Sequence, residues 1–250
     1  IQKSYDSENR NKIPDSVVIP DMPKLNRKDI DYINQSKFYV NKHFNKNYGN
    51  TDLLFPVTHA SSKKWLKEFL KNSFSNYGTY QDAITTNSPT VFHSLLSPMI
   101  NIGLLNPIYV LSKVIQYYKK NKKIKMNNFE AFVRQLIGWR EYQRLIYLFK
   151  YDKIVETNFF KNKLKLSHEW YDGTTGLTIL DDSIKTGFKL GYLHHIIRLM
   201  VVANAMNLCK IAPDQVYKWF MEFSIDSYDW VMIGNVYSMG LWSDGGIAMN

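Results

Sequence analysis

The sequence predicts an all-α protein. Three observations carry that prediction: apolar residues recur mainly at i, i+3 and i+4, strand patterns do not alternate with helices, and no internal repeat is visible. Residues 1–58 hold Pro14, Pro20, Pro23 and Pro56 with little sustained periodicity, so they read as an interdomain connector with one short helix around Asp29 to Phe44. From Ser61 the spacing turns helical, with Trp65, Leu66, Phe69, Leu70 and Phe74 on one face. Pro107 suits the first turn of the next helix, because its missing N–H is one that a helix start leaves unpaired anyway. Val110, Leu111, Val114 and Ile115 line its face. Asn127 followed by Glu130 resembles a capping box ahead of a long run from Phe129 to Phe149. Further helices are expected over Asp182 to Leu190, Tyr192 to Leu208 and Pro213 to Phe223, with a glycine-rich loop from Gly234 to Gly246.

Composition narrows the function classes. The chain has 250 residues with 32 Lys+Arg against 22 Asp+Glu, a formal charge of +10 that suggests a polyanionic partner. Hydrophobic residues at 45% and aromatics at 15% supply enough apolar surface to offset the entropy of ordering, which excludes a disordered tail. Cys209 is the single cysteine, so neither a disulfide framework nor a site needing several thiolates of this chain is available. No apolar run approaches the roughly 20 residues of a membrane span, and no signal-peptide core opens the chain. A soluble, intracellular protein is expected, and Ile1 in place of Met suggests a segment of a longer product. Most of the basic charge is lysine interleaved with asparagine, as in Lys42 to Asn50 and Lys119 to Asn128, which reads as solvated surface. Arginine is scarcer, and Arg134, Arg140, Arg144 and Arg198 fall within apolar helical stretches. A guanidinium there serves either bidentate anion recognition or a buried ion pair.

Four segments carry possible chemistry. In Phe92 to Leu105, Ser94 and Ser97 bracket a helix start, where free N–H groups favour an anion, although plain N-capping explains the same pattern. In Phe129 to Arg144, Trp139, Arg140 and Tyr142 offer a stacking surface and a cation for a planar aromatic ligand or an exposed base. In Gly191 to Met200, His194 and His195 would point about 100° apart on a helix, one toward a buried ligand and one toward a neighbouring cavity. Zinc ligation favours i, i+4 spacing and further ligands, so no metal site is expected there, and the pair is better suited to proton donation. The stretch from Trp219 to Tyr237, continued by Met239 and Trp242, is dense in aromatics suited to relaying single electrons or simply to packing. No Walker loop, dinucleotide glycine fingerprint or nucleophile elbow is present.

Taken together and in this order, the four segments resemble the flavin-binding helical domain of the photolyase and cryptochrome superfamily. They are most similar to the branch of iron-sulfur bacterial cryptochromes and prokaryotic (6-4) photolyases, also called deoxyribodipyrimidine photolyase-related proteins. The resemblance runs from Tyr5-Asp-Ser-Glu-Asn-Arg10 through Phe55-Pro-Val-Thr58 and Tyr77-Gly-Thr-Tyr-Gln-Asp-Ala83 to Ser243-Asp-Gly-Gly246, nearly the whole chain. It implies FAD, bound in a U-shaped conformation. Tyr80, His93, Ser94, Leu96 and Ser97 match the segment that holds the flavin phosphates and ribityl chain. Gln135 and Arg140 match positions beside the flavin, and Trp139 one that faces the lesion. His195 and Arg198 align near the isoalloxazine, and His194 with a lesion-side histidine. Asp226 and Asp229 match acidic residues at the ring edge, with Met232 and Asn235 near N5.

The resemblance also implies an activity: blue-light-driven repair of UV-induced pyrimidine dimers in DNA by electron transfer from reduced FAD, with (6-4) photoproducts favoured. A photoreceptor without repair, or a DNA-binding remnant without flavin, are the alternatives. Trp219 matches the flavin-proximal member of the family's aromatic electron relay and Tyr228 a following one, while Phe220 stands where the branch often has tyrosine. Ile179 occupies the first ligand position of the branch's [4Fe-4S] cluster, so no cluster is expected from this chain. The antenna domain that would precede residues 1–58, and the end of the helical domain that begins near residue 59, are expected to lie outside it.

Overall fold

The computed structural model describes residues 9–248, and among these the regular structure is helical, with pairing limited to the isolated bridges Thr85 with Ser88 and Leu164 with Ile211. Ile1 and the Tyr5 to Glu8 part of the N-terminal motif lie outside the described residues. The chain divides into two compact units. One holds the residues up to His43 together with Leu53–Trp139, and the other holds Phe44–Asp52 together with the residues from Arg140 onward.

In the first unit, helix α1 (Arg27–His43) begins on the fully buried carboxylate of Asp29. Burying a charge is tolerable only with partners, and Oδ1 of Asp29 accepts from the Val57 amide at 3.1 Å and the Ser61 hydroxyl at 2.8 Å. Helix α2 (His59–Asn72) is capped by Thr58 and buries Trp65, Leu66, Phe69 and Leu70, the face that the periodicity predicts. Phe69, Tyr77 of α3 (Phe74–Tyr77) and Phe132 meet edge to face or tilted at 5.3 to 5.9 Å, a favoured aromatic geometry. After α4 (Ser97–Asn101), helix α5 (Pro107–Lys120) starts at Pro107 as expected, with Asn106 Oδ1 accepting from the Ile108 amide at 2.8 Å.

The expected capping box does not form. Helix α6 (Met126–Val133) starts earlier, at Met126 after Lys125, and carries Asn127 and Asn128 inside its buried first turn. Asn128 Oδ1 instead accepts from the Gly78 amide at 2.8 Å and the Thr79 amide at 3.0 Å. The approach is so close that a Cβ on Gly78 would stand 2.5 Å from the Asn127 carbonyl oxygen, so only glycine fits. A π segment, π1 (Arg134–Trp139), follows α6 directly.

The second unit contains α7 (Arg140–Glu156), α8 (Glu169–Asp172), α9 (Thr178–Leu190), π2 (Ile197–Ala203), α10 (Asn204–Leu208), α11 (Pro213–Phe223), α12 (Asp229–Met232) and π3 (Ile233–Gly240). Their core includes the fully buried Ile154, Ile184, Val202, Met206, Val216 and Trp219. Each side chain of this kind contributes about 1.5–3 kcal/mol by leaving water. The short segment Phe44–Asp52 docks here, through Asn50 Nδ2 donating to the Lys189 carbonyl at 3.1 Å.

Three expectations shift in this unit. Helix α9 starts at Thr178 rather than Asp182, because the Asp181 carboxylate gathers the Thr175 hydroxyl and the Thr175 and Gly176 amides ahead of it. The helix expected from Tyr192 begins only at His195, since Gly191 ends α9 in a left-handed turn at φ +61° and residues 192–194 are not helical. The expected glycine-rich loop is helical as far as Gly240 and turns only afterwards, where Asp244 accepts from the Gly246 and Ala248 amides at 3.0 Å each. Among the described residues, no helix is long and apolar enough to cross a membrane.

Candidate functional site

Each π segment carries residues singled out by the sequence: Gln135 and Trp139 in π1, Arg198 in π2 and Asn235 in π3. A π bulge is costly and recurs at functional sites, because one extra residue in a turn re-aims the side chains around it.

In the first unit, the segment ahead of α4 is shaped by two non-glycine residues in the left-handed region, Val91 at φ 49° and Leu95 at φ 55°. Such conformations cost on the order of 1 kcal/mol each and persist only where the surroundings impose them. Here Val91 and Leu95 are both buried, and the buried Tyr80 ring lies 5.5 Å from Phe92. His93 Nε2 is hydrogen-bonded to the Gln81 carbonyl at 2.9 Å, and the Ser94 carbonyl accepts from the Trp65 indole at 3.0 Å. Plain N-capping by the serines is not seen: α4 has Leu96 at its cap position, with no side-chain bond there, and Ser97 is its exposed first residue. Gln135 is exposed and Trp139 half-buried.

In the second unit, Arg198 is the best-defined polar group. Its Nε donates to the Leu193 carbonyl at 2.7 Å, and its Nη1 to Asp226 Oδ1 at 2.9 Å. Its guanidinium carbon lies 5.3 Å from the Tyr192 ring centre and 5.9 Å from that of Phe223. Its Nη2 is buried and has no hydrogen-bond partner. Asp226 is held in turn by the Ser224 hydroxyl. His194 is buried, and its Nδ1 accepts from the Ile196 amide at 3.2 Å, which leaves Nε2 to carry the proton of the neutral ring. The divergent helical pair that the sequence suggests is not present: His194 precedes the helix, and its ring stacks on His195 at 4.6 Å and 23°.

Other candidates have separate surroundings. The Arg140 guanidinium lies 4.9 Å over the Trp230 ring, and burial lowers its pKa. Asp229 uses both carboxylate oxygens, accepting from Tyr147 at 2.7 Å and from Tyr217. Met232 is buried and Asn235 half-buried. Trp219 is fully buried, with Nε1 donating to the Trp170 carbonyl at 2.6 Å and its ring against Phe188, Phe220 and Phe223. Tyr228 precedes α12 as its half-buried cap residue, and Ile179 is exposed in the first turn of α9.

The apolar periodicity passes over the face of α7 that carries Arg140, Gln143 and Tyr147. Their i, i+3, i+7 spacing is the signal that would have shown it. Gln143 is buried with neither amide atom hydrogen-bonded, packed so closely on Gly234 that a Cβ there would lie 2.1 Å from its Oε1.

The helical second unit thus keeps a buried arginine with an unpaired Nη2 close to a stacked histidine pair. Residues 116–243 match the family described as the FAD binding domain of DNA photolyase. The chain belongs to this family, the helical flavin domain of the photolyase and cryptochrome superfamily. It is 33% identical over 249 residues to a (6-4) photolyase of Agrobacterium fabrum, covering 97% of this chain and 48% of that protein. The chain thus spans about half the length of that relative. Among solved structures it resembles a bacterial class III photolyase from Agrobacterium tumefaciens, with TM-score 0.61, 20% identity, 76% of this chain and 40% of that one. It also resembles a cryptochrome of Synechocystis, with TM-score 0.59, 19% identity, 75% of this chain and 40% of that one. At these identities the two structures bear on the fold alone.

Proposed function

We propose that this chain contributes the flavin domain of a light-driven DNA repair protein acting on UV-induced pyrimidine lesions, with (6-4) photoproducts favoured over cyclobutane dimers. The observation that carries the reading is Arg198. Two of its three nitrogens are fixed by Leu193 and Asp226, while Nη2 is buried without an acceptor. Leaving such a donor unpaired costs about 1–3 kcal/mol, so a ligand that offers an acceptor gains from a site already built. The polar edge of an isoalloxazine has acceptors of that kind, and the residues present therefore fit FAD.

On this reading Arg198, Asp226, Met232 and Asn235 attend the ring, with His195 close by, and Asp229 stands as a second carboxylate held rigid by its two tyrosines. Tyr80, His93, Ser94, Leu96 and Ser97 attend the phosphates and ribityl chain, and Gln135 and Arg140 flank the cofactor. Bound there and reduced, FAD would supply light-driven one-electron chemistry to the lesion. His194 stands as the proton donor that a (6-4) lesion requires. Trp139 stacks on the extruded bases, as enzymes acting on a base must take it out of the helix. The lysine-rich surface adds a sequence-independent, salt-sensitive attraction to phosphate.

The test is illumination of the flavin-loaded protein with oligonucleotides that carry either lesion. Repair of the (6-4) product is expected, and His194→Ala is expected to abolish it while FAD stays bound. Bound flavin with no lesion repaired moves the chain to the photoreceptor reading, and a chain that takes up no flavin contradicts both.

A further inference from the structure

Trp219 has no path for its proton. Its indole N–H donates to the Trp170 carbonyl, which does not accept a proton at neutral pH, so a one-electron-oxidised Trp219 stays a cation and remains strongly oxidising. Its ring contacts lead outward. Phe188 lies 5.8 Å from Trp219, 6.0 Å from Tyr171 and 6.2 Å from Tyr48. Tyr171 and Tyr48 stack on each other at 4.6 Å and 23°, and Tyr48 is 55% exposed. The Tyr171 hydroxyl donates to Glu222 Oε2 at 2.9 Å. Burial first, and that hydrogen bond second, raise the Tyr171 pKa, so the resting phenol keeps its proton with an acceptor already in line. Among the aromatic rings in this run, Tyr171 alone pairs an oxidisable phenol with a carboxylate.

We propose that Tyr171 and Tyr48, with Glu222 as proton acceptor, form the outer end of an electron relay that refills oxidised Trp219. The inference rests on the flavin reading, since the oxidant of Trp219 is a photoexcited, oxidised flavin that takes one electron from it. Tyr171 then passes one electron across Phe188 to the Trp219 cation and its phenolic proton to Glu222, leaving neutral Trp219, a neutral tyrosyl radical and a protonated Glu222. The radical, stacked on Tyr48, takes one electron at the surface from a soluble thiolate, which leaves as a thiyl radical, while Glu222 returns the proton to the Tyr171 oxygen. The route gives the exposed segment Phe44–Asp52 a function beyond docking.

Two arms test it. With FAD bound, a blue flash is followed by transient absorption in water and heavy water. The wild type is expected to show a neutral tyrosyl band that forms with a solvent isotope effect. Tyr171→Phe is expected to lose the band and lengthen the life of the tryptophan cation roughly ten-fold or more, and Glu222→Gln to slow tyrosyl formation by a similar factor. An unchanged band and lifetime in flavin-loaded Tyr171→Phe overturn the relay. Without flavin, the chain is oxidised by a flash-generated ruthenium polypyridyl complex and read by electron paramagnetic resonance. A dominant tyrosyl signal that disappears in the Tyr48→Phe, Tyr171→Phe double variant supports the pair as the resting place of an electron hole, even if FAD fails to bind and the flavin reading falls. A signal unchanged in the double variant overturns the pair.

Discussion

Two carboxylates three residues apart in sequence, Asp226 and Asp229, sit in opposite chemical situations. Asp226 pairs with Arg198, whose Nη2 still lacks an acceptor. Asp229 has both oxygens filled by the phenols of Tyr147 and Tyr217, in a knot that continues through the 5.7 Å contact between Tyr217 and Tyr237. Sequence reasoning places both aspartates at the edge of one ring. The difference teaches that an acidic residue near a site marks binding where its partner keeps a donor in reserve, and marks scaffolding where its own hydrogen bonds are saturated.

The largest expected effect comes from Arg198→Leu. The pair is only 13% and 15% exposed, so removing the cation strands a mostly buried carboxylate at a cost of about 3 kcal/mol. Flavin binding is expected to disappear with it, and calorimetric unfolding together with flavin absorbance reads both. Asp229→Asn comes next. It keeps the shape and deprives two phenols of a charged acceptor, so a loss of about 1–3 kcal/mol in denaturant unfolding is expected, with flavin affinity falling less than in Arg198→Leu.

Alkaline pH separates the two regions further. Burial and Asp229 raise the Tyr217 pKa, burial and Asp214 raise that of Tyr237, and the hydrogen bond to Asp229 raises that of Tyr147. A phenol with a raised folded pKa stabilises the fold fully below its unfolded value of about 10, and that contribution is lost as pH rises through the raised value. Tyrosine absorbance is therefore expected to show these phenols ionising only together with loss of circular dichroism. Early, independent ionisation would show that the knot is loose. The smallest effect is expected from Tyr147→Phe, about 1 kcal/mol in denaturant unfolding with flavin affinity unchanged, because Asp229 keeps Tyr217.

Helices whose apolar face and start signal agree were legible within a few residues. Pro107 opens α5 and Pro213 opens α11 where the sequence places them, while the caps Thr58 of α2 and Asn106 of α5 came from the structure. The π segments were not legible, because one residue inserted in a turn leaves the apolar spacing almost intact while rotating the side chains beyond it. The stacking of His194 on His195 escaped for a related reason: the helix starts three residues later than Tyr192, so a pair that reads as divergent lies face to face. Asn127 reads as a cap because asparagine favours caps, but the close approach of Gly78 draws that turn into the core. The candidate binding residues came from the family resemblance. The hydrogen bonds of Asp229 and the Tyr171–Tyr48 stack came only from the structure, since both join residues far apart in sequence.

The central claim is that the spare donor of Arg198 belongs to a flavin. Its most direct test is an equilibrium titration with FAD of the wild type and of Arg198→Lys, which keeps the charge and loses Nη2. Saturable binding is expected, weakened roughly ten-fold or more by the substitution, as befits a lost charge-assisted hydrogen bond. Equal affinity in the two proteins, or no binding by the wild type, would contradict the account.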